Sequence, residues 1–589
     1  MPKPGRPRPS QSRVPPYLPI ALLTLVALAT YANGLSAPFV WDDDPAIVTN
    51  QSIRGSLADA LAPPLETPVS GRPAVNVSLA INYGFGQLGT TGYHVWNLAV
   101  HVACALLLFG IVRRTLRARK VFRDGMFSDS VALIAALTWM VHPLLSETVD
   151  YVTERSESMM GLFFLLTLYA AIRARDSRAA LRWQLVSIGS CALGMATKES
   201  MVTAPVAVVL YDLVFEFESA GEALRSRSFL YAGLAITWIE LGAIIWHWPR
   251  STVGATVVGP WTYLLNQAQM IGRYLALAFW PQSLVADYGL PRALTIGDVM
   301  AQGTLIIALL AGTAVALFRW PSIGFMGAMF FLTLAPTSSI VPITSEVGAE
   351  RRMYLPLAAL IVLVVTLAAV LVERARRRSP GRARTVMALA IGVSLAAIAA
   401  LSIRTAYRNR EYASPLSLWE SVVARRPQGR ARFAFATQLM EAGRHDEAID
   451  QLRAAVIDFP DARAGLGTEL LTRGAFDEGV AVLEAFVQAN PSAPNRAPAR
   501  PLIARGYRGM AERSLQQQQF ARAAEQARKS LQFNPQDADA HNVFGAALAP
   551  QGQLEQAARE FQEALRINPQ HPSAGNNLAR AEAILRRRQ

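Results

Sequence analysis

The run Phe39-Val40-Trp41-Asp42-Asp43-Asp44 sets three carboxyl groups side by side, shortly after an apolar stretch at 17–31. Adjacent carboxylates repel one another, which raises the pKa of at least one of them. A group of that kind can take a proton from a hydroxyl, or the cluster can hold a divalent cation through its oxygens. The competing reading is a solvated turn opened by Asp44-Pro45. Other ionisable residues sit in or at the ends of apolar runs, where charge is expensive and functional by default. These are His142, Glu147, Glu154, Arg155 and Glu157, then Lys198-Glu199, then Glu350-Arg351-Arg352 with Tyr354. Each has a plainer alternative. His142 can be a satisfied histidine at a helix end, Lys198-Glu199 a local ion pair closing a turn, and Arg351 and Arg352 anchors for lipid headgroups. The chain has no glycine-rich nucleotide loop, no HExxH and no Cys/His metal spacing.

The elements that must position these residues follow from composition. Of 589 residues 52% are hydrophobic and only 17% charged, with a mean hydropathy of +0.24. Soluble domains carry about 25% charged residues, so an ordinary soluble enzyme is excluded and a multi-pass membrane protein expected. Spans are expected near 17–31, 94–112, 130–146, 157–172, 183–197, 200–216, 229–247, 302–318, 322–341, 353–372 and 385–403, about eleven in all. A further apolar stretch, 264–281, is interrupted by Asn266, Gln267, Gln269 and Arg273 and reads as a re-entrant or interfacial helix. Because more spans follow at once, the first reads as a membrane helix rather than a cleaved signal peptide.

The net charge of +14 is concentrated in short loops beside apolar runs. It therefore reads as a topology signal and not as a nucleic-acid surface. Arg113 to Arg123, Arg173 to Arg182 and Arg374 to Arg384 mark the cytoplasmic side. The basic stretch 1–16, with Lys3, Arg6, Arg8 and Arg13, joins them, which puts the loop 35–93 and the candidate residues on the opposite face. Cys104 and Cys191 lie in apolar runs and offer neither a disulfide framework nor a metal site.

Beyond the membrane domain, placed at 17–405, the pattern is soluble and helical. Asn534-Pro535 and Asn568-Pro569 are 34 residues apart, the tetratricopeptide period, and Gly545, Ala557 and Ala564 fall where two helices must approach closely. Earlier units carry Gly443, Ala448 and Leu452, then Gly474 closing at Asn490-Pro491, then Ala511, Phe520 and Ala524. Irregular spacing implies an insertion around Pro494–Pro501. Four repeats with a capping helix from Ala574 are expected over 406–589, forming a short solenoid suited to a protein or peptide partner.

Taken in order, these motifs resemble a family. Tyr31-x-Asn33-Gly34 with Phe39-Val40-Trp41-Asp42-Asp43 and Ile47-Val48-x-Asn50 is similar to the first lumenal loop of the TMTC-type proteins. These join a transmembrane half to tetratricopeptide repeats and are O-mannosyltransferases of the GT-C fold. The likeness continues through Gly71-Arg72-Pro73, Gly92-Tyr93-His94, His142-Pro143-x3-Glu147, Lys198-Glu199, Tyr211-Asp212, Asp287-Tyr288 and Ala349-Glu350-Arg351-Arg352-Met353-Tyr354. It implies an all-α chain: a GT-C-like membrane bundle followed by a solenoid. It also implies a polyprenyl-phosphate sugar as donor, a protein hydroxyl as acceptor, and the first-loop acidic pair, Asp42 and Asp43, as the catalytic position.

On that footing Asp42 is the expected base, Asp43 orients it, and Arg351, Arg352 and Lys198 are the expected grip on the donor phosphate. Arg72, His142, Glu147, Arg155, Glu199, Glu350 and Tyr354 are expected around the substrates. The leaving group is already an anionic phosphate, so no general acid is needed and a single base gives inversion. No cofactor is required, and three aspartates leave room for a divalent metal. The expected location is a bacterial inner membrane, with the repeats outside the cytoplasm. The alternatives are a non-catalytic membrane-anchored scaffold for envelope proteins and, third, a lipid or ion transporter, which should show an internal symmetry absent from this sequence.

Overall fold

The structure, a computed structural model, describes residues 17–248, 258–339, 341–343, 345–489 and 497–588. The basic stretch 1–16, Asn490-Pro491 and the first part of the expected insertion lie outside the described residues. Among the described residues the chain is helical without a strand, and it divides into two compact units, Met1–Ser421 and Val422–Gln589.

In the first unit α1 (Tyr17–Tyr31) leads through a long loop containing α2 (Leu57–Ala60) and α3 (Pro73–Gly86). Then come α4 (Thr90–Ala118), α5 (Gly125–Met140), α6 (Ser146–Asp150), α7 (Arg155–Asp176), α8 (Ala180–Met195) and α9 (Ala204–Phe215). The bundle is completed by α10 (Ala220–His247), α11 (Pro260–Phe279), α12 (Ile296–Arg319), α13 (Pro321–Leu334), α14 (Tyr354–Arg378) and α15 (Ala383–Asn409), with α16 (Pro415–Arg425) following. Each of the eleven expected apolar segments contains a helix, although the one expected at 322–341 ends at Leu334. Seven of these helices are long and apolar enough to cross a membrane: α1 together with the short helical turn that extends it to Gly34, and α4, α7, α10, α12, α14 and α15. An eighth is α5 if it is taken with the segment Pro143–Asp150, from which it is bent by 55°. The expected count of about eleven is not reached on length, because α8, α9 and α13 have only 16, 12 and 14 residues, short of the roughly 20 a hydrocarbon core needs.

The bundle has two chemically distinct ends. At one, Arg113 and Arg117 at the end of α4 bind Asp129 of α5 at 2.9 and 2.7 Å, and Arg175 of α7 meets Glu216 after α9 at 3.5 Å. Arg227 of α10 grips Asp212 of α9 at 2.9 Å, and the Arg376 guanidinium of α14 covers the ring of Phe127. The arginine loops read as cytoplasmic thus lie together, tied by internal acids. The candidate residues lie at the other end. Both termini of α11 touch that second end: Arg352 donates to the Tyr263 hydroxyl at 3.2 Å, and His142 Nε2 meets the Ala278 carbonyl at 3.2 Å. So α11 runs along the face instead of crossing between the ends, as its interrupted apolar pattern implies.

The core that fixes these helices is aromatic. His101 of α4 sits between the Tyr354 hydroxyl, 2.9 Å from Nδ1, and the Met140 carbonyl, 2.9 Å from Nε2. Trp139 donates to the Tyr354 carbonyl at 2.9 Å. Gly161 of α7 faces the Tyr354 ring so closely that a Cβ there would come within 2.6 Å of it, so only glycine lets α7 and α14 pack at this separation.

The second unit stacks four helix pairs: α17 (Gly429–Glu441) with α18 (His445–Ala455), α19 (Ala462–Thr472) with α20 (Phe476–Ala489), α21 (Ala499–Gln516) with α22 (Phe520–Phe533), and α23 (Ala538–Leu548) with α24 (Leu554–Ile567). The capping helix is α25 (Ala574–Arg588). Each pair turns through one residue of positive φ: Gly443 at 74°, Gly474 at 77°, Gln518 at 58° and Gly552 at 79°. Glycine occupies three of the four because a side chain is strained in that region.

Candidate active site at the carboxylate–arginine cluster

The first loop is built around Asp43. Its Oδ1 accepts from the Thr153 amide at 2.7 Å and the Thr153 hydroxyl at 2.5 Å, and its Oδ2 accepts from the Val40 amide at 2.9 Å. Fully buried, it pins the loop to the segment leading into α7. Burial pushes its carboxyl up to about 7, although the Thr153 and Val40 donors favour the ionised form. The turn closing over it runs from Val40 to Asp43, whose amide donates to the Val40 carbonyl at 2.9 Å, and forces Trp41 to φ +47°. A bulky residue in that region stores strain, a feature of functional loops. The Trp41 ring, 42% exposed, packs against buried Trp419 at 4.9 Å.

That geometry gives neighbouring aspartates different surroundings. Asp42 is half-buried rather than enclosed, and its amide donates to the Tyr151 hydroxyl at 2.8 Å. Its carboxyl is raised to about 6. Burial contributes most and Glu154 next, with Glu346 adding a little, while Arg351 and the Tyr151 hydroxyl pull it down. Asp44 is exposed.

Facing Asp42 is a chain of alternating charge. Lys198 Nζ lies 2.6 Å from Glu157 and 3.8 Å from Glu154. Arg351 joins three carboxylates: Nε to Glu154 at 3.1 Å, Nη1 to Glu147 at 2.5 Å and Nη2 to Glu346 at 2.6 Å, while its amide donates to Glu147 at 3.0 Å. Arg352 meets Glu346 at 2.9 Å and donates to the Thr337 carbonyl at 3.0 Å. Burial works against ionisation of Glu346, but Arg351 and Arg352 hold its carboxyl down at about 2. Among the described residues no group of three or more His, Cys, Asp and Glu side chains is set to hold a metal ion; the Arg351 guanidinium lies among the acids instead.

The cluster therefore unites Asp42, Glu147, Lys198, Arg351 and Arg352 of the expected residues, together with Glu154 and Glu157. Others are placed elsewhere. Arg155 is fully buried and spends its nitrogens on the Asn97 side chain at 2.8 Å, Ser78 at 3.2 Å and the Tyr93 carbonyl at 3.1 Å, which ties α3, α4 and α7 together. Tyr354 belongs to the aromatic core. Glu350 is buried, accepting from the Val285 amide at 2.5 Å and lying 3.5 Å from Arg408. Arg72 donates to the Pro68 carbonyl at 3.0 Å and the Ser156 hydroxyl at 3.3 Å. Glu199 is half-buried next to Lys198 in the turn before α9. His142 accepts from the Leu144 amide at 3.2 Å, capping the short helix after it, and lines a cavity of about 550 Å³. That cavity is mostly apolar, bounded by α5, the end of α11, α14 and α15 with Leu357, Ile361 and Val365 on its wall, and Thr138, Gln282 and Arg404 also line it.

Sequence reasoning missed Glu346, Tyr151, Thr153 and Arg408. Glu346 carries the same signal as Arg351, a charge beside an apolar run. Arg408 falls in the stretch expected to be soluble, 406–589, whereas α15 extends through it to Asn409 and its side chain is fully buried.

Comparison with known proteins supports the resemblance. A family profile described as dolichyl-phosphate-mannose-protein mannosyltransferase matches residues 85–246, and the tetratricopeptide repeat profile matches 402–462, 433–494 and 508–587. Protein O-mannosyl-transferase TMTC4 of Mus musculus is 24% identical over 518 residues, 75% of this chain and 66% of that protein. Protein O-mannosyl-transferase TMTC2 of Mus musculus is 31% identical over 206 residues, 33% of this chain and 23% of that protein. The chain thus spans under two thirds of the length of these relatives. Among solved structures, ArnT from Cupriavidus metallidurans covers 81% of each chain at 16% identity with a TM-score of 0.36. The protein is an all-helical membrane protein with a C-terminal tetratricopeptide solenoid, similar in sequence to protein O-mannosyl-transferases.

Proposed function

We propose that the protein transfers a sugar, mannose by its likeness to the mannosyltransferases, from a polyprenyl phosphate to a protein Ser or Thr hydroxyl. The observation that carries this reading is that Asp42, whose carboxyl is raised to about 6, lies within the electrostatic reach of Arg351, which in turn is held by Glu147, Glu154 and Glu346. Asp42 accepts the proton of the acceptor hydroxyl, and a base poised near the working pH contributes roughly 10²–10⁴-fold. Asp43 fixes the loop and so orients Asp42. Arg351 and Arg352 bind the departing phosphate, where guanidinium forks match its oxygens, and Lys198 supports them through Glu154 and Glu157. The mostly apolar cavity lined also by His142 and Arg404 has the chemistry for the prenyl tail. The scheme requires no cofactor.

The arginine-rich end faces the cytoplasm and the site faces away from it, in a bacterial inner membrane with the repeats on the outer side. The solenoid holds an extended acceptor segment. The test is transfer by purified protein from radiolabelled polyprenyl-phosphate mannose to an envelope extract. Asp42→Asn should lose roughly 10²–10⁴-fold in rate while folding normally. Equal turnover in the variant refutes Asp42 as the base. Failure of a panel of lipid-linked sugars with the wild type moves the reading to a membrane-anchored scaffold.

A further inference from the structure

The groups read above as the phosphate grip are already occupied by an anion. Glu346 places one carboxylate oxygen 2.6 Å from Arg351 Nη2 and the other 2.9 Å from Arg352 Nη2. A single carboxylate bridging two guanidinium groups presents two oxygens to two forks, the arrangement a phosphate monoanion or dianion would adopt there. Arg352 has only 2% of its side chain exposed and Arg351 16%, while Glu346 at 20% is the most open member of the trio. Arg351 retains Glu147 and Glu154 when Glu346 is removed, and Arg352 retains Tyr263 and the Thr337 carbonyl. Both arginines therefore stay anchored without it.

We propose that Glu346 is an internal stand-in for the donor phosphate, occupying the two-arginine site in the empty protein and leaving it when the lipid phosphate arrives. This rests on the proposed function only in naming the anion. The device follows from charge. Asp42, Glu147, Glu154, Glu157 and Glu346 outnumber Lys198, Arg351 and Arg352, so a phosphate added without displacing a carboxylate would meet a net negative cluster. The buried Arg352 guanidinium left without an anion would be costly in turn. Exchanging one anion for another avoids both states. The Glu346 carboxyl, held at about 2 by its two partners, is charged at every working pH, so proton uptake does not vacate the site. Displacement by a competing anion does.

The experiment measures equilibrium binding of radiolabelled undecaprenyl phosphate to purified full-length protein in detergent. Wild type, Glu346→Gln and Glu346→Asp are compared, with Arg351→Ala as the loss-of-site control and thermal melting as a check on folding. The stand-in requires Glu346→Gln to bind about fivefold tighter, the size of one partly exposed ion pair, and Glu346→Asp, whose shorter carboxylate competes less well, to tighten binding by less than that. Weaker or unchanged binding by a folded Glu346→Gln protein overturns the inference and leaves Glu346 a strut for Arg352. If wild type and Arg351→Ala bind the lipid equally, the phosphate assignment itself fails, whatever Glu346 does. If Glu346→Gln does not fold, Glu346→Asp decides, since a shortened carboxylate that competes less well should also tighten binding and a strut should not.

Discussion

The amide of Asp42 donates to the Tyr151 hydroxyl at 2.8 Å, and the same hydroxyl favours the ionised form of the Asp42 carboxyl. Tyr151 therefore fixes the backbone of the proposed base and stabilises its charged form. With Asp42 raised to about 6, activity should fall as pH drops through that value, because the base works only when ionised. Removing the phenol withdraws a hydrogen bond that favours the charged form, so Tyr151→Phe should move the acid limb of the kcat profile to higher pH. Rates of the two proteins should converge above about pH 8 if positioning survives. A profile with an unmoved acid limb would show that Tyr151 does not set the Asp42 pKa.

Asp43 accepts three hydrogen bonds in a fully buried setting. An amide in its place must turn a donor toward either Thr153 or the Val40 amide. Asp43→Asn should lower stability by about 1–3 kcal/mol, the cost of a buried unsatisfied group. Thermal melting in detergent measures this, and a melt equal to wild type would mean the loop is not held by Asp43.

Arg408 is enclosed between Glu350, 3.5 Å away, and Glu411, with the Tyr412 ring under its guanidinium. Taking away one partner of such a buried set strands the others, at about 3–5 kcal/mol. Arg408→Met alone should therefore express poorly or melt early, and the pair Arg408→Met with Glu350→Gln should recover part of the loss. A single variant as stable as wild type contradicts this.

In the solenoid, Gln518 holds the φ of 58° that Gly443, Gly474 and Gly552 hold in the other turns. A side chain in this region costs about 1–2 kcal/mol. Gln518→Gly gives back part of that to unfolded-chain entropy, leaving a net gain of about 0.5–1 kcal/mol. Denaturant titration of the full chain reads it from the transition assigned to the repeats. A loss of stability would show that the Gln518 side chain contributes more than its strain costs.

The sequence by itself determined the helices, the division into an apolar bundle and a repeat array, and the two chemically different ends. Each of these rests on local pattern. An apolar run of some 20 residues has no stable alternative to a helix in hydrocarbon, a 34-residue period repeats a unit that packs on its own neighbour, and arginines at loop ends mark a side. It also singled out most of the charged residues of the cluster, because a charge beside an apolar run is visible without any fold. Tertiary structure alone decided which charges meet. Glu147 and Arg351 are 204 residues apart, and their contact depends on which helices pack together and how each is rotated. Arg155 carries the same sequence signal as Arg351, yet it faces α3 and α4 and spends its donors on them. Asp42 and Asp43 are alike in sequence, and a single turn with Trp41 at φ +47° buries one and leaves the other facing Arg351. Side-chain direction in a turn, and the partner of a long arginine, are set by packing across the whole bundle, which neighbouring residues do not encode.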